Sequence, residues 1–136
     1  MKKLLTIFGF LSILSSVSAR ADLPFQETII KGNMLYITGQ VSLDKNFESV
    51  KDDVKSQTRR TLDIIKKHVQ QSPGFTLKDL VACTIQLSDL KYSKEMNDGY
   101  QEFFKENKVN FPTRTVIGGV QIYDNLDVEI TCTAQR

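Results

Sequence analysis

Histidine is almost missing from this 136-residue chain, with His68 its only example. One imidazole cannot form the histidine pair that acid-base cleavage of a phosphodiester would use. Cysteine is nearly as scarce. Cys83 and Cys132 are the only two, their spacing fits no zinc pattern, and no second ligand pair exists, so no structural metal is expected. Basic runs are missing as well. Of the 18 basic residues, Lys2, Lys3 and Arg20 fall in the first 21, leaving 15 to face 16 acids. A near-neutral body of this kind lacks the electrostatic footprint of a nucleic-acid binder. No internal repeat or Pro/Ser/Gly linker divides the chain, which points to one domain.

The residues that are present first mark an address. Lys2 and Lys3, a mostly apolar uncharged stretch over 4–17, and then Ala19, Arg20 and Ala21 follow the order of a secretory signal peptide. The stretch is shorter than the ~20 residues a spanning helix requires. The expected boundaries are a leader over 1–21, cleaved after Ala21, and a domain over 22–136. The product is expected in the periplasm or secreted, without stable membrane association after cleavage, in a compartment where disulfides can persist.

Beyond the leader, the turn pair Gly32–Asn33 precedes a strand over 34–41 that ends in Thr38, Gly39 and Gln40. Apolar residues at helical spacing (Val54, Leu62, Ile65, Val69) predict a helix over 52–71, opened by a Ser49/Asp52 capping signal and stopped by Pro73 and Gly74. Val81, Cys83, Ile85 and Leu87 alternate with smaller or polar residues as a half-buried strand. Ser93 caps a second helix with an inner stripe of Met96, Tyr100, Phe103 and Phe104, ending at Asn107. Strands through 115–117 and 127–134 complete the order strand, helix, strand, helix, strand, strand. In the last strand Val128, Ile130 and Cys132 face the helices, which puts Glu129 with Thr84 and Gln86 on a face that no helix covers. A second subunit is the expected cover.

Three features stand outside the core pattern. Arg114 offers a planar fork suited to a carboxylate, a partly desolvated Glu129 can act as a base on water, and Gly39 allows close approach to the backbone. A structural or intersubunit salt bridge between Arg114 and Glu129 is the competing explanation. His68, late in a helix, is expected to be solvated and without a catalytic role. Phe103 and Phe104 are expected in the core.

The chain also resembles a known family. Gly32, Asn33, Met34, Thr38, Gly39 and Gln40, then Gln57, Thr58 and Arg59, are similar to the Rid (reactive intermediate deaminase, YjgF) family. So are Tyr100, Glu102, Phe103 and Phe104, the run Phe111 to Thr115, and Val128, Glu129 and Ile130. The resemblance runs from Pro24 to the end. It implies a chorismate-mutase-like α+β fold, a mixed sheet with two helices on one face, in a homotrimer with a central barrel and three clefts between subunits. It implies no cofactor and no metal, and the hydrolysis of 2-imino or enamine acids to 2-keto acids and ammonia. In that scheme Arg114 binds the substrate carboxylate, Glu129 positions or activates water, and the Gly39 backbone, Phe25 and Val116 line the cleft.

The chain departs from the family pattern at four positions. Phe25 replaces a frequent tyrosine, Val116 a cysteine or threonine, Gly118 an acidic or polar residue, and Tyr123 a proline. A trimeric binding protein for small carboxylates is therefore the alternative reading, and an endoribonuclease the last. The resemblance also places the strands of Cys83 and Cys132 side by side. Free thiols are the expectation, because neighbouring strands rarely offer a relaxed disulfide torsion.

Overall fold

The computed structural model describes residues 23–136, so the leader and its cleavage after Ala21 lie outside the described residues. Within it, five strands and two long helices alternate: β1 (Thr28–Lys31), β2 (Met34–Val41), α1 (Val54–Gln71), β3 (Leu80–Leu87), α2 (Ser93–Asn107), β4 (Thr113–Gly118) and β5 (Val128–Gln135). They form one mixed sheet in the order β1-β2-β5-β3-β4. Only the β3–β4 pair is parallel, because α2 lies between these strands in sequence and carries the chain back to its starting edge.

The helices begin and end for local reasons. Asp53, in extended geometry, accepts a hydrogen bond from the Ser56 amide at 2.8 Å and opens α1. The cap is thus Asp53 and not Ser49 of the expected Ser49/Asp52 box, four residues further on. Ser93 lies inside the first turn of α2 rather than at its cap, and its hydroxyl donates to the Leu90 carbonyl. Lys108, at φ 54°, closes α2 in the left-handed region. Among the described residues no helix is long and apolar enough to cross a membrane.

Both helices pack on one face of the sheet. Leu62, Ile65 and Val69 of α1 and Met96, Phe103 and Phe104 of α2 are almost fully buried against Leu35, Ile37, Ile85, Leu87, Val128 and Ile130. The Phe103 and Phe104 rings meet edge to face at 5.2 Å, as expected of core residues. The opposite face carries Tyr36, Thr133 and Ala82 in one row, Thr131, Thr84 and Thr115 in the next, and Val41, Glu129, Gln86 and Ile117 in the last. No helix of the described residues covers it.

Beyond the helix caps, two further features depart from expectation. β1 was not foreseen: it is four residues long at an edge, and three of them are exposed, so it carries no alternating pattern. The cysteines are not free thiols. Cys83 and Cys132 face each other directly in the β3–β5 register and are joined as a disulfide. Their Cα atoms lie 4.2 Å apart, the close spacing of a non-hydrogen-bonded antiparallel pair. That register brings the two sulfurs together where neighbouring strands in general do not.

Candidate functional site

Glu129 and Gly39 meet on the open face. Between Ile37 and Gln40 the β2–β5 register shifts, so that Thr38 and Gly39 together oppose a single residue of β5. This is a β-bulge inside the strand rather than the strand end expected from sequence. The bulge turns Gly39 toward Glu129, and a Cβ at position 39 would collide with the Glu129 carboxylate. Glycine is needed here for space, since its φ is not in the left-handed region. The carboxylate is half-buried and makes no hydrogen bond or ion pair with any described residue. Burial alone raises its pKa above the usual carboxylate value.

Arg114 and Val116 meet on the other side. Arg114 pairs in register with Cys83, and Val116 with Ile85, so both side chains project toward the helices at the β4 edge of the sheet. The Arg114 guanidinium lies over the Tyr100 ring, 4.9 Å from its centre. It also donates an N–H to the Met96 sulfur at 3.8 Å. Among the described residues no carboxylate pairs with it, and the side chain stays exposed. Apart from the Nη1 hydrogen given to Met96, its N–H groups are open to an incoming anion.

The two pairs do not meet within one chain. β3 separates β4 from β5, which puts their backbones roughly 10 Å apart, and Arg114 and Glu129 project from opposite faces. The salt bridge considered from sequence is not formed in the chain. Phe25, 53% exposed, precedes β1 at the opposite edge of the sheet from β4. A cleft holding all five residues needs parts of more than one copy.

The departures have visible packing. The place where a side chain at Gly118 would begin is filled by Leu90, whose Cγ would lie 2.2 Å from a Cβ there in space only glycine leaves open. Leu90 and Phe111 are both more than half exposed, so the Arg114 side presents apolar walls. Tyr123 stands 70% exposed in a short 3-10 turn.

In the sequence Tyr100 and Met96 stand out only as members of the inner stripe of α2, with no site role attached to either. The signal that could have singled them out is a tyrosine in an apolar stripe, because its hydroxyl must find a partner or go without. His68 lines a broad groove of about 750 Å³ beside α1 with Leu43, Phe47, Arg60 and Ile64. Neither Arg114 nor Glu129 contributes to that groove, and its charges are mixed. No cluster of three metal-ligating side chains occurs among the described residues.

Comparison with known proteins agrees with this architecture. Residues 16–136 match the family described as endoribonuclease L-PSP. A RutC family protein of Sulfurisphaera tokodaii is 39% identical over 114 residues, covering 83% of this chain and 88% of that one. The 2-iminobutanoate/2-iminopropanoate deaminase of Escherichia coli is 29% identical over 113 residues, covering 83% and 88%. The crystal structure of the Escherichia coli YjgF gene product superposes with a TM-score of 0.79 at 30% identity, covering 85% of this chain and 91% of that one. With its mixed sheet, two helices on one face and a match across the whole described region, the chain belongs to the endoribonuclease L-PSP family, also known as Rid or YjgF.

Proposed function

We propose that this protein is an exported hydrolase that converts small 2-imino acids, or their enamine forms, to 2-keto acids and ammonia. The observation that carries the reading is that Arg114 and Glu129, one on each side of the sheet, both lack an ionic partner among the described residues. The desolvated Glu129 carboxylate costs stability without return unless a ligand or a reaction uses it, and the exposed Arg114 fork is open to an incoming carboxylate. The relative named as a 2-iminobutanoate/2-iminopropanoate deaminase supplies the reaction class.

The chemistry follows from what each group can do. Arg114 receives the substrate carboxylate through two parallel N–H bonds and fixes the imine carbon in place. Glu129, its pKa raised by burial, takes a proton from water as the water oxygen bonds to C2 of the imine. The C2=N double bond becomes single, and Glu129 returns the proton to that nitrogen. As the carbinolamine collapses, Glu129 takes its hydroxyl proton and passes it to the nitrogen, the C2=O bond forms, C2–N breaks and ammonia leaves. Gly39 gives the ligand access to the backbone beside Glu129, and Phe25 and Val116 wall the cleft.

Because Arg114, Glu129 and Phe25 do not converge in one chain, the working unit is a homotrimer with sites between subunits. The open sheet face, with Tyr36 and Ile117 exposed, is its interface. Export is supported by the charged, apolar and small-residue order of the first 21 residues. The buried Cys83–Cys132 disulfide, a bond that persists in oxidising compartments, supports it too.

A second reading, a trimeric carboxylate-binding protein without turnover, is favoured by the apolar walls, where Phe25, Val116 and Gly118 offer no polar group. Freshly generated 2-iminobutanoate added to the purified protein decides between them. Keto-acid formation above the spontaneous rate supports the hydrolase. Binding of 2-oxobutanoate without imine turnover would leave only the binder.

A further inference from the structure

Among the described residues no charge of opposite sign holds Arg114, which raises the question of what orients it. A long, flexible arginine at an edge strand loses rotamer freedom when fixed. Usually an acidic neighbour offsets that loss. Here the contacts are the face of Tyr100 at 4.9 Å and the sulfur of Met96 at 3.8 Å. Both come from α2, four residues apart, so they stand one above the other on a single helical face.

From these contacts we infer that Tyr100, seconded by Met96, is a positioning residue for the carboxylate site, its ring serving as the seat that presents the Arg114 fork outward. The inference rests on the proposed role of Arg114 in binding a carboxylate. A ring face attracts the guanidinium through its quadrupole while competing for none of the N–H groups that the ligand needs. A carboxylate in the same place would bind those groups and cancel the charge.

The surroundings of the ring fit a seat. Tyr100 is 3% exposed, and Phe111 stacks near-parallel to it at 6.1 Å. Phe104 packs against it at 4.7 Å. The ring cannot move aside without opening this cluster. Its hydroxyl is buried and has no hydrogen-bond partner among the described residues. Burial pushes its pKa up to about 12, against the Arg114 charge, which acts the other way. The phenol therefore stays neutral, and its contribution to Arg114 is the ring rather than a phenolate.

The test replaces Tyr100 with phenylalanine and then with mono-, di- and trifluorophenylalanine. This series hardly changes size but drains the ring of its negative face. The full-length variants are measured for 2-oxobutanoate affinity and for imine hydrolysis. Affinity is expected to be kept in Tyr100→Phe and to fall stepwise with fluorine, by roughly 3- to 10-fold across the series, as KM rises and kcat holds. A flat affinity across the series would overturn the inference, since a merely structural ring does not sense its own quadrupole. Arg114→Gln, run alongside, separates the two claims. If it leaves 2-oxobutanoate binding intact, the carboxylate reading fails; if it abolishes binding while the fluorine series stays flat, only the seat fails.

Discussion

The two faces of the sheet are built to different rules. On the covered face, Leu35, Ile37, Ile85, Leu87, Val128 and Ile130 are at most 2% exposed and meet two helices. On the open face the same strands show threonines, glutamine and one glutamate, with Tyr36 and Ile117 left 46% and 45% exposed. One face holds the chain together. The other is left open by the helices, and it carries the only carboxylate of β5. The difference teaches why the proposed site calls for assembly: Arg114 belongs to the rim of the covered face and Glu129 to the open one, so one chain does not bring them together.

The largest effect expected from this comparison is on core truncation. Phe104→Ala should cost about 3–5 kcal/mol of folding stability, whereas Thr84→Ala on the open face should change the folding of the single chain by less than about 0.5 kcal/mol. Denaturant melts of both variants would check the contrast, and similar losses would erase it. Next comes the disulfide. Opening the Cys83–Cys132 link, which spans 49 residues, should cost about 2–4 kcal/mol. Melting with and without reductant would measure the loss.

Much of the covered face was legible in the sequence, because burial there imposes a period. Val54 to Val69 and Met96 to Phe104 repeat at helical spacing, and Val81 to Leu87 alternate as a strand should. What was illegible depends on register. Nothing in the string says that Cys83 stands opposite Cys132, or that Arg114 lines up with Cys83 and so turns toward α2. Nor does it show that a bulge at Thr38–Gly39 opens space for Glu129. β1 escaped because an exposed edge strand has no core to satisfy. Glu129 was legible by alternation, since every second residue of β5 is apolar, and by the family resemblance around it.

Two smaller effects sharpen the contrast between faces. Burial raises the folded pKa of Glu129, so the fold favours its neutral form. That contribution to stability is complete below the unfolded carboxylate pKa and is lost as pH rises through the folded value. Glu129→Gln should therefore melt higher than the parent at neutral pH, with the gap closing toward about pH 4. Imine hydrolysis by the parent should fall as pH drops through the same raised pKa, because the base is then protonated. Thermal melts and rates across that range would test both signs. On the covered side, Tyr100→Phe deletes a buried hydroxyl without a partner among the described residues and should leave melting unchanged or slightly raised; a clear drop in calorimetry would show that the hydroxyl is satisfied in the assembled protein.

The most direct test of the central claim, that one site takes Arg114 from one copy and Glu129 from another, is complementation between two inactive variants. Arg114→Gln and Glu129→Gln proteins, each measured alone, should hydrolyse 2-iminobutanoate at least ~100-fold more slowly than the parent. Unfolded and refolded together in equal amounts, they should recover roughly a quarter of the parent rate, because each mixed trimer holds one site with both residues intact. A mixture no faster than the average of its two components would contradict the account.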